Sequence, residues 1–323
     1  MTSVQLAQAS NAAVYASMLT LTLAMIFFAV SFAAGRRRVP AATVAAATAR
    51  PGGGVGTAVL TREESPAPQA LEPGRRSANI GMSLTWLSFL LLLVGVVLRG
   101  VWAGRVPWGN MYEFSITGAL GVLGVFLFLS IRRDLRWLGL FVVIPTLLWL
   151  GLAVTVLYTE AAQLVPALKS YWLVIHVAAA IICFGAFTFS AATAGLALAR
   201  GRAERGQGTV DIQGWLARMP SSERLESLTN RVVAFSFPLW TFAVVAGAIW
   251  AENAWGRYWG WDPKETWAFI TWVVFAAYLH ARSTAGWRGS RASWIAILGW
   301  VSFLINYFGV NIFVNSLHSY SGM

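Results

Sequence analysis

Eight stretches of this 323-residue chain are long and apolar enough to cross a bilayer, and that restricts its fold more than any other feature. They lie near residues 14–34, 82–100, 113–131, 137–157, 171–199, 231–250, 264–282 and 293–316. A helix spans the hydrocarbon core with about 20 residues. The expected fold is therefore all-α, a polytopic membrane bundle of about eight transmembrane helices.

Composition agrees: 57% of residues are hydrophobic and 11% charged, with a mean hydropathy of +0.62, which excludes an ordinary soluble domain. A net charge of +11 would suggest nucleic acid in a soluble chain. Here the arginines sit in short runs between apolar segments, not on one basic face, so no nucleic-acid partner is expected. Arg36 to Arg38, Arg75 and Arg76, the Arg132–Arg136 group, the Arg200–Arg205 group, and Arg282, Arg288 and Arg291 fall in alternate loops. The positive-inside rule assigns those loops to the cytoplasm. Both termini then face outward, with outer loops 101–112, 158–170 and 251–263 and the tail 317–323, in a multi-pass protein of the plasma membrane.

Three regions follow. Residues 1–35 read as a retained N-terminal transmembrane helix, because the run lacks a small-residue cleavage pattern and ends in an arginine cluster. Residues 36–81, rich in alanine, glycine and proline, read as a mobile cytoplasmic linker. The remainder, 82–323, is one membrane domain. In its inner loop 200–230, Ser221, Ser222 and Glu223 ahead of Leu225 and Leu228 predict a short amphipathic helix at the membrane surface. The single cysteine, Cys183, excludes an intramolecular disulfide or a CxxC pair and reads as a buried, inert thiol.

Residues 250–267, WAENAWGRYWGWDPKETW, hold five of the chain's seventeen tryptophans. Any one of them suits a membrane-interface belt, but a cluster makes a platform for a planar ligand. Trp255, Trp259 and Trp261 are the candidates. Asp262, Pro263 and Glu265 read as an N-cap, a first-turn proline and a capping-box glutamate; Asp262 is also a candidate ligand contact. Arg257 and Lys264 suit either a ligand's carboxylates or lipid phosphates. Arg105, Trp108 and Glu113 in the loop VWAGRVPWGNMYEF are boundary residues or a second wall of the same pocket.

The chain has three histidines. His176 lies near the outer end of the fifth run and His318 just after the eighth, both at the level of the tryptophan loop. Two imidazoles beside a stacking surface are what a six-coordinate haem iron needs. Asn311, Asn315 and His318 share an i, i+4, i+7 stripe in the eighth run. His280 lies about 27 Å along a helix from Asp262, so it belongs to an inner site.

The stretch WGRYWGWDPKETWAFITW resembles the tryptophan-rich WWD signature of haem-handling proteins of cytochrome c maturation. DPKETW followed by YLHAR is most similar to the CcsA (ResC, or CcsB-type) family of the two-component cytochrome c synthase. The likeness extends through GWRGSRA and YFGVN to LHSY, and back to SYWLVIHV and WGNMYEF; residues 1–81 carry none of it. It implies that 82–323 is a haem-handling domain with 250–267 as its outer WWD loop. By the same resemblance His176 and His318 ligate haem b at the outer face, and His280 ligates it within the membrane beside a histidine of a ResB-like membrane partner. The function implied is haem transport across the bilayer and presentation for thioether attachment to the CxxCH motif of apocytochrome c. Such a chain is the haem-presenting subunit of a synthase rather than an enzyme with its own acid or nucleophile. The competing readings are a b-type haem electron carrier and a small-solute transporter.

Overall fold

The computed structural model describes residues 2–34, 74–161, 169–206, 216, 219–314, 316 and 317. Those residues form helices, turns and extended segments, with no strand among them. In chain order the helices are α1 (Ser3–Ala34), α2 (Arg75–Ala103), α3 (Met111–Arg132), α4 (Gly139–Thr155), α5 (Tyr171–Glu204), α6 (Ser222–Trp255), α7 (Pro263–Ser283), α8 (Ser290–Leu304) and α9 (Val310–Phe313). A single 3₁₀ turn, Arg136–Leu138, leads into α4, and a π turn, Ile305–Gly309, joins α8 to α9.

Among the described residues, seven spans, counting α8 through α9 as one, are long and apolar enough to cross a membrane. Helix α7 has the length, at 21 residues, but a lower hydropathy because Lys264, Glu265, His280 and Arg282 occupy its first and last turns. The chain is an all-helical membrane bundle, as its apolar pattern predicts.

Three boundaries differ from the sequence reading. Helix α2 begins at Arg75, inside the stretch expected to be linker, because Ala78 and Gly81 pack inward and Gly81 abuts the Phe28 ring of α1. The expected short amphipathic helix is the first part of α6. Ser221 caps it by accepting from the Arg224 N–H, and the helix then runs on through Pro238 to Trp255. The eighth run stops being helical at Phe313, and Val314 is extended, so the helical stripe expected through Asn311, Asn315 and His318 is not continued. Asn315 and His318 lie outside the described residues, as does most of the 36–81 stretch.

Small and hydroxyl residues set the helix pairings. Ser17 of α1 and Ser88 of α2 bond each other at 2.9 Å, and the Ser10 hydroxyl donates to the Gly95 carbonyl. In the α5–α6 pair Thr193 meets Thr229 at 2.8 Å, and the Cys183 thiol donates to the Ser236 carbonyl. Cys183 is buried as expected. Helix α3 reaches α5 at Gly121 and Gly185, where a Cβ on Gly185 would stand 2.5 Å from the Gly121 carbonyl oxygen. In lipid, where the solvent is as apolar as the side chains, such close contacts and interhelical hydrogen bonds hold helices together. The centre is aromatic: Phe187 stacks on Phe275 at 3.9 Å, with Trp240 and Phe303 around them.

The contacts sort the helix ends into two groups. At one end the α2–α3 loop, the residues after α4, the start of α5, the α6–α7 loop and the end of α9 converge, and Asn11 near the start of α1 donates to the Tyr158 hydroxyl there. At the other end Arg282 pairs with Glu226, and Glu204 accepts from Arg200 and Ser222. Helices α5 and α6, each 34 residues, run about 50 Å at 1.5 Å per residue and overshoot a hydrocarbon core of about 30 Å.

Gly185→Leu should force α3 and α5 apart and cost about 1–3 kcal/mol or more by overpacking. Gly151→Ala, where an added Cβ meets nothing within 4 Å, should be neutral. Thermal unfolding in detergent separates the two; equal midpoints would mean that the glycine contact does not set the α3–α5 distance.

Candidate functional site

A cavity opens at the first of these ends, between α3, α5, α6, α7 and the α8–α9 segment. It encloses about 1200 Å³ of empty space, its open mouth included. Its walls are apolar and largely aromatic, with Phe114, Phe184, Trp240, Trp250, Trp259 and Tyr307 among them. The polar groups are few: His176, Lys264, Glu265, Asn306 and Asn311.

His176 is held by α6. Its Nδ1 lies 2.7 Å from the Ala243 carbonyl oxygen, and a carbonyl can only accept, so Nδ1 carries the proton. Nε2 therefore keeps its lone pair. One turn further along α6, a Cβ at Gly247 would stand 2.8 Å from the imidazole, so glycine makes room for the ring. Another turn on, Trp250 lies parallel to it, 11° off plane and 6.4 Å away. Ala243, Gly247 and Trp250 share one face of the helix and together fix the imidazole. An oriented imidazole with a free lone pair, lining an apolar cavity, suits an axial ligand of a planar metal complex.

The rim at α7 is built around two carboxylates. Asp262 caps the helix, accepting from the Lys264 N–H at 3.1 Å, and its second oxygen accepts from the Leu317 N–H at 3.1 Å. The cap read from the sequence therefore also anchors the C-terminal segment immediately before His318. Glu265 closes the capping box by accepting from the Asp262 N–H, and it also accepts from the Gly260 N–H and the Arg257 guanidinium. Arg257 is thus committed to Glu265.

The α2–α3 loop repeats this construction. Gly104 and Gly256 end their helices in the left-handed conformation. An arginine follows each, Asn110 or Asp262 is the cap, and Glu113 or Glu265 accepts from the arginine and from a glycine N–H. The shared spacing is G-R-x4-[N/D]-x2-E, and it was readable in the sequence but missed. Glu113 carries a second cation, Arg99, and both side chains are 0% exposed. Arg99 is enclosed by the rings of Trp102, Tyr112 and Tyr158, and it donates to the Thr159 carbonyl. The second-wall candidates Arg105, Trp108 and Glu113 are not among the residues lining the cavity; Met111 and Phe114 of the same stretch line it, and Trp108 packs near Trp250 behind them.

The three tryptophan candidates do not form one flat platform. Trp259 lines the cavity. Trp255 stands edge-on behind the wall, 4.8 Å from Trp250. Trp261 is 65% exposed, adopts a φ of 58°, and meets Trp259 and Phe269 edge-on. A left-handed tryptophan is strained backbone, which persists where surroundings enforce it. His280 is exposed on the last turn of α7, remote from the cavity, as its sequence position required. His318 lies outside the described residues. Sequence reasoning also missed Gly247 and Asn306, whose roles depend on what neighbouring helices place opposite them.

Fold and cavity together define a multi-pass membrane protein with an aromatic-walled cavity at one end of its bundle. Residues 108–318 match the Cytochrome C assembly protein family. The cytochrome c biogenesis protein CcsA of Guillardia theta is 36% identical over 256 residues, covering 75% of this chain and 85% of that protein. The CcsA of Microcystis aeruginosa is 34% identical over 289 residues, covering 74% and 87%. The chain therefore belongs to the cytochrome c assembly family, and its role lies in cytochrome c maturation. Among solved structures, the cytochrome c haem lyase CcmF superposes with a TM-score of 0.57 over 95% of this chain and 47% of its own length. At 16% identity, that likeness concerns the fold alone.

Substitutions separate the two duties of Asp262. Asn caps helices about as well as Asp but has one acceptor oxygen instead of two, so Asp262→Asn should keep α7 stable and loosen the tail. Asp262→Ala should also lose about 1 kcal/mol of cap energy. Faster carboxypeptidase trimming in both variants, with a lower melting midpoint only in the alanine variant, is the expected pattern.

Proposed function

We propose that this chain carries haem across the membrane and presents it at the tryptophan-rich end for covalent attachment to apocytochrome c. The observation that carries the reading is His176: an imidazole with its proton committed to Ala243 and its Nε2 lone pair free, lining an aromatic cavity. Among the described residues no three His, Cys, Asp or Glu side chains converge on a metal-sized site. One imidazole suits a metal whose other ligands arrive in a planar ring, and haem is such a species. Asp262 tethers Leu317, and the next residue in the sequence, His318, is the candidate second axial ligand.

The alternating arginine loops support a cytoplasmic face opposite the cavity, which puts the tryptophan loop and both termini on the extracytoplasmic side. His280, exposed near the arginine-rich end, suits an entry site completed by a histidine of a ResB-like partner. At the outer end each thiol of the CxxCH motif adds across a haem vinyl group, the sulfur and the hydrogen going to the two carbons. This chain's part is to hold the ring still and expose its edge, since the reacting groups belong to haem and substrate.

His176→Gly should lose haem and cytochrome c assembly, and imidazole added outside should restore part of both by filling the vacated position. His280→Ala should lower haem at both sites and respond less to imidazole. Absorption spectra of the purified variants and haem staining of cytochrome c report these outcomes. Normal haem content and assembly in His176→Gly would remove the outer ligand from the scheme.

A further inference from the structure

Lys264 is the cavity residue that neither the fold nor the proposed function uses. It is the second residue of α7, and the Asp262 carboxylate holds its backbone N–H at 3.1 Å, so the cap fixes where its side chain departs. The side chain lines the same cavity as His176. Among the described residues its ammonium is in no ion pair. The nearby carboxylates are engaged elsewhere: Glu265 with Arg257, Gly260 and the Asp262 N–H, and Asp262 with the backbone of Lys264 and Leu317. The Asp262 carboxylate attracts the ammonium from beyond ion-pair contact, so its charge in these apolar walls is only partly compensated, and the cost falls further when an anion enters beside it.

A second polar group in the cavity is also without a partner. Asn306, on the π turn, is 7% exposed, and its Oδ1 bonds to nothing among the described residues. π turns inside helices commonly mark functional positions. The cavity thus offers one axial imidazole, one ammonium, the amides of Asn306 and Asn311, and the Glu265 carboxylate already held by Arg257 and two backbone N–H groups, in otherwise apolar surroundings. The imidazole and the ammonium together complement a largely apolar planar ring that carries carboxylate at its edge; the Asn306 Oδ1 is an acceptor and does not meet that carboxylate.

We propose that Lys264 receives a carboxylate of the bound ring, pairing with it by a charge-assisted hydrogen bond and so fixing which edge of the ring turns toward α7. This rests on the haem reading and deepens it: the ligand class is a metalloporphyrin with free propionates. A fixed propionate edge determines where the vinyl edge lies, so Lys264 acts on attachment by positioning.

The test compares ferric haem with its dimethyl ester, in which both propionates are masked, by Soret titration of the haem-stripped full-length chain in detergent. A hydrogen bond to a charged group is worth about 1.5–3 kcal/mol, or about 10- to 150-fold in Kd. The wild-type chain should therefore bind haem at least about tenfold more tightly than the ester. Lys264→Gln should bind both with the ester's affinity while keeping the histidine-ligated spectrum, and Lys264→Arg should keep most of the preference. That unchanged spectrum separates loss of the carboxylate contact from misfolding. A full preference retained in Lys264→Gln would overturn the assignment and leave Lys264 to lipid phosphate. Binding of neither compound by the wild-type chain would overturn the haem reading and this proposal with it.

Discussion

Two buried glutamates hold the cavity's end of the bundle together. Helix N-termini leave backbone N–H groups without intrahelical partners, and near a bilayer such groups are costly if water cannot reach them. Glu113 and Glu265 draw the preceding glycine N–H and an arginine onto the first turn of α3 and α7. Each carboxylate is desolvated, which only multiple charge-assisted bonds make tolerable. The result is two loops of the same construction, each fixing a wall of one cavity. A rigid rim is what a site needs when its ligand must be both held and handed on.

How much of this was legible from the sequence depended on whether a feature is local. Apolar runs follow from bilayer thickness alone, and the Asp262–Pro263–Glu265 cap follows from local hydrogen bonding; both appear as read. The tryptophans were legible as a cluster but not as an arrangement. Which indole walls the cavity depends on the left-handed turn at Trp261 and on the packing of Trp255 against Trp250, and spacing reveals neither. The polar stripe through Asn311 assumed a continuous helix; the chain leaves it at Phe313 after a π turn that shifts the register. Gly247 is an unremarkable glycine in α6 until His176 of α5 is placed against it.

The division between the two ends of α7 limits how a haem can move between them. Lys264 lines the cavity and His280 lies sixteen residues later on the same helix, about 24 Å at 1.5 Å per residue. A second apolar cavity adjoins the first at Phe184, but it is walled by α3, α4, α5 and α8 and touches no residue of α7. It leads away from His280. What does connect them is a surface: Phe269, Val273, Ala277 and His280 are exposed on α7, and Phe269 meets Trp261 edge-on. Their spacing of four, four and three residues keeps them on one helix face. An apolar face exposed on a bundle helix meets lipid or a neighbouring helix in a bilayer. On its inner side the same helix is held to α5 by the Phe187 and Phe275 rings, stacked 3.9 Å apart.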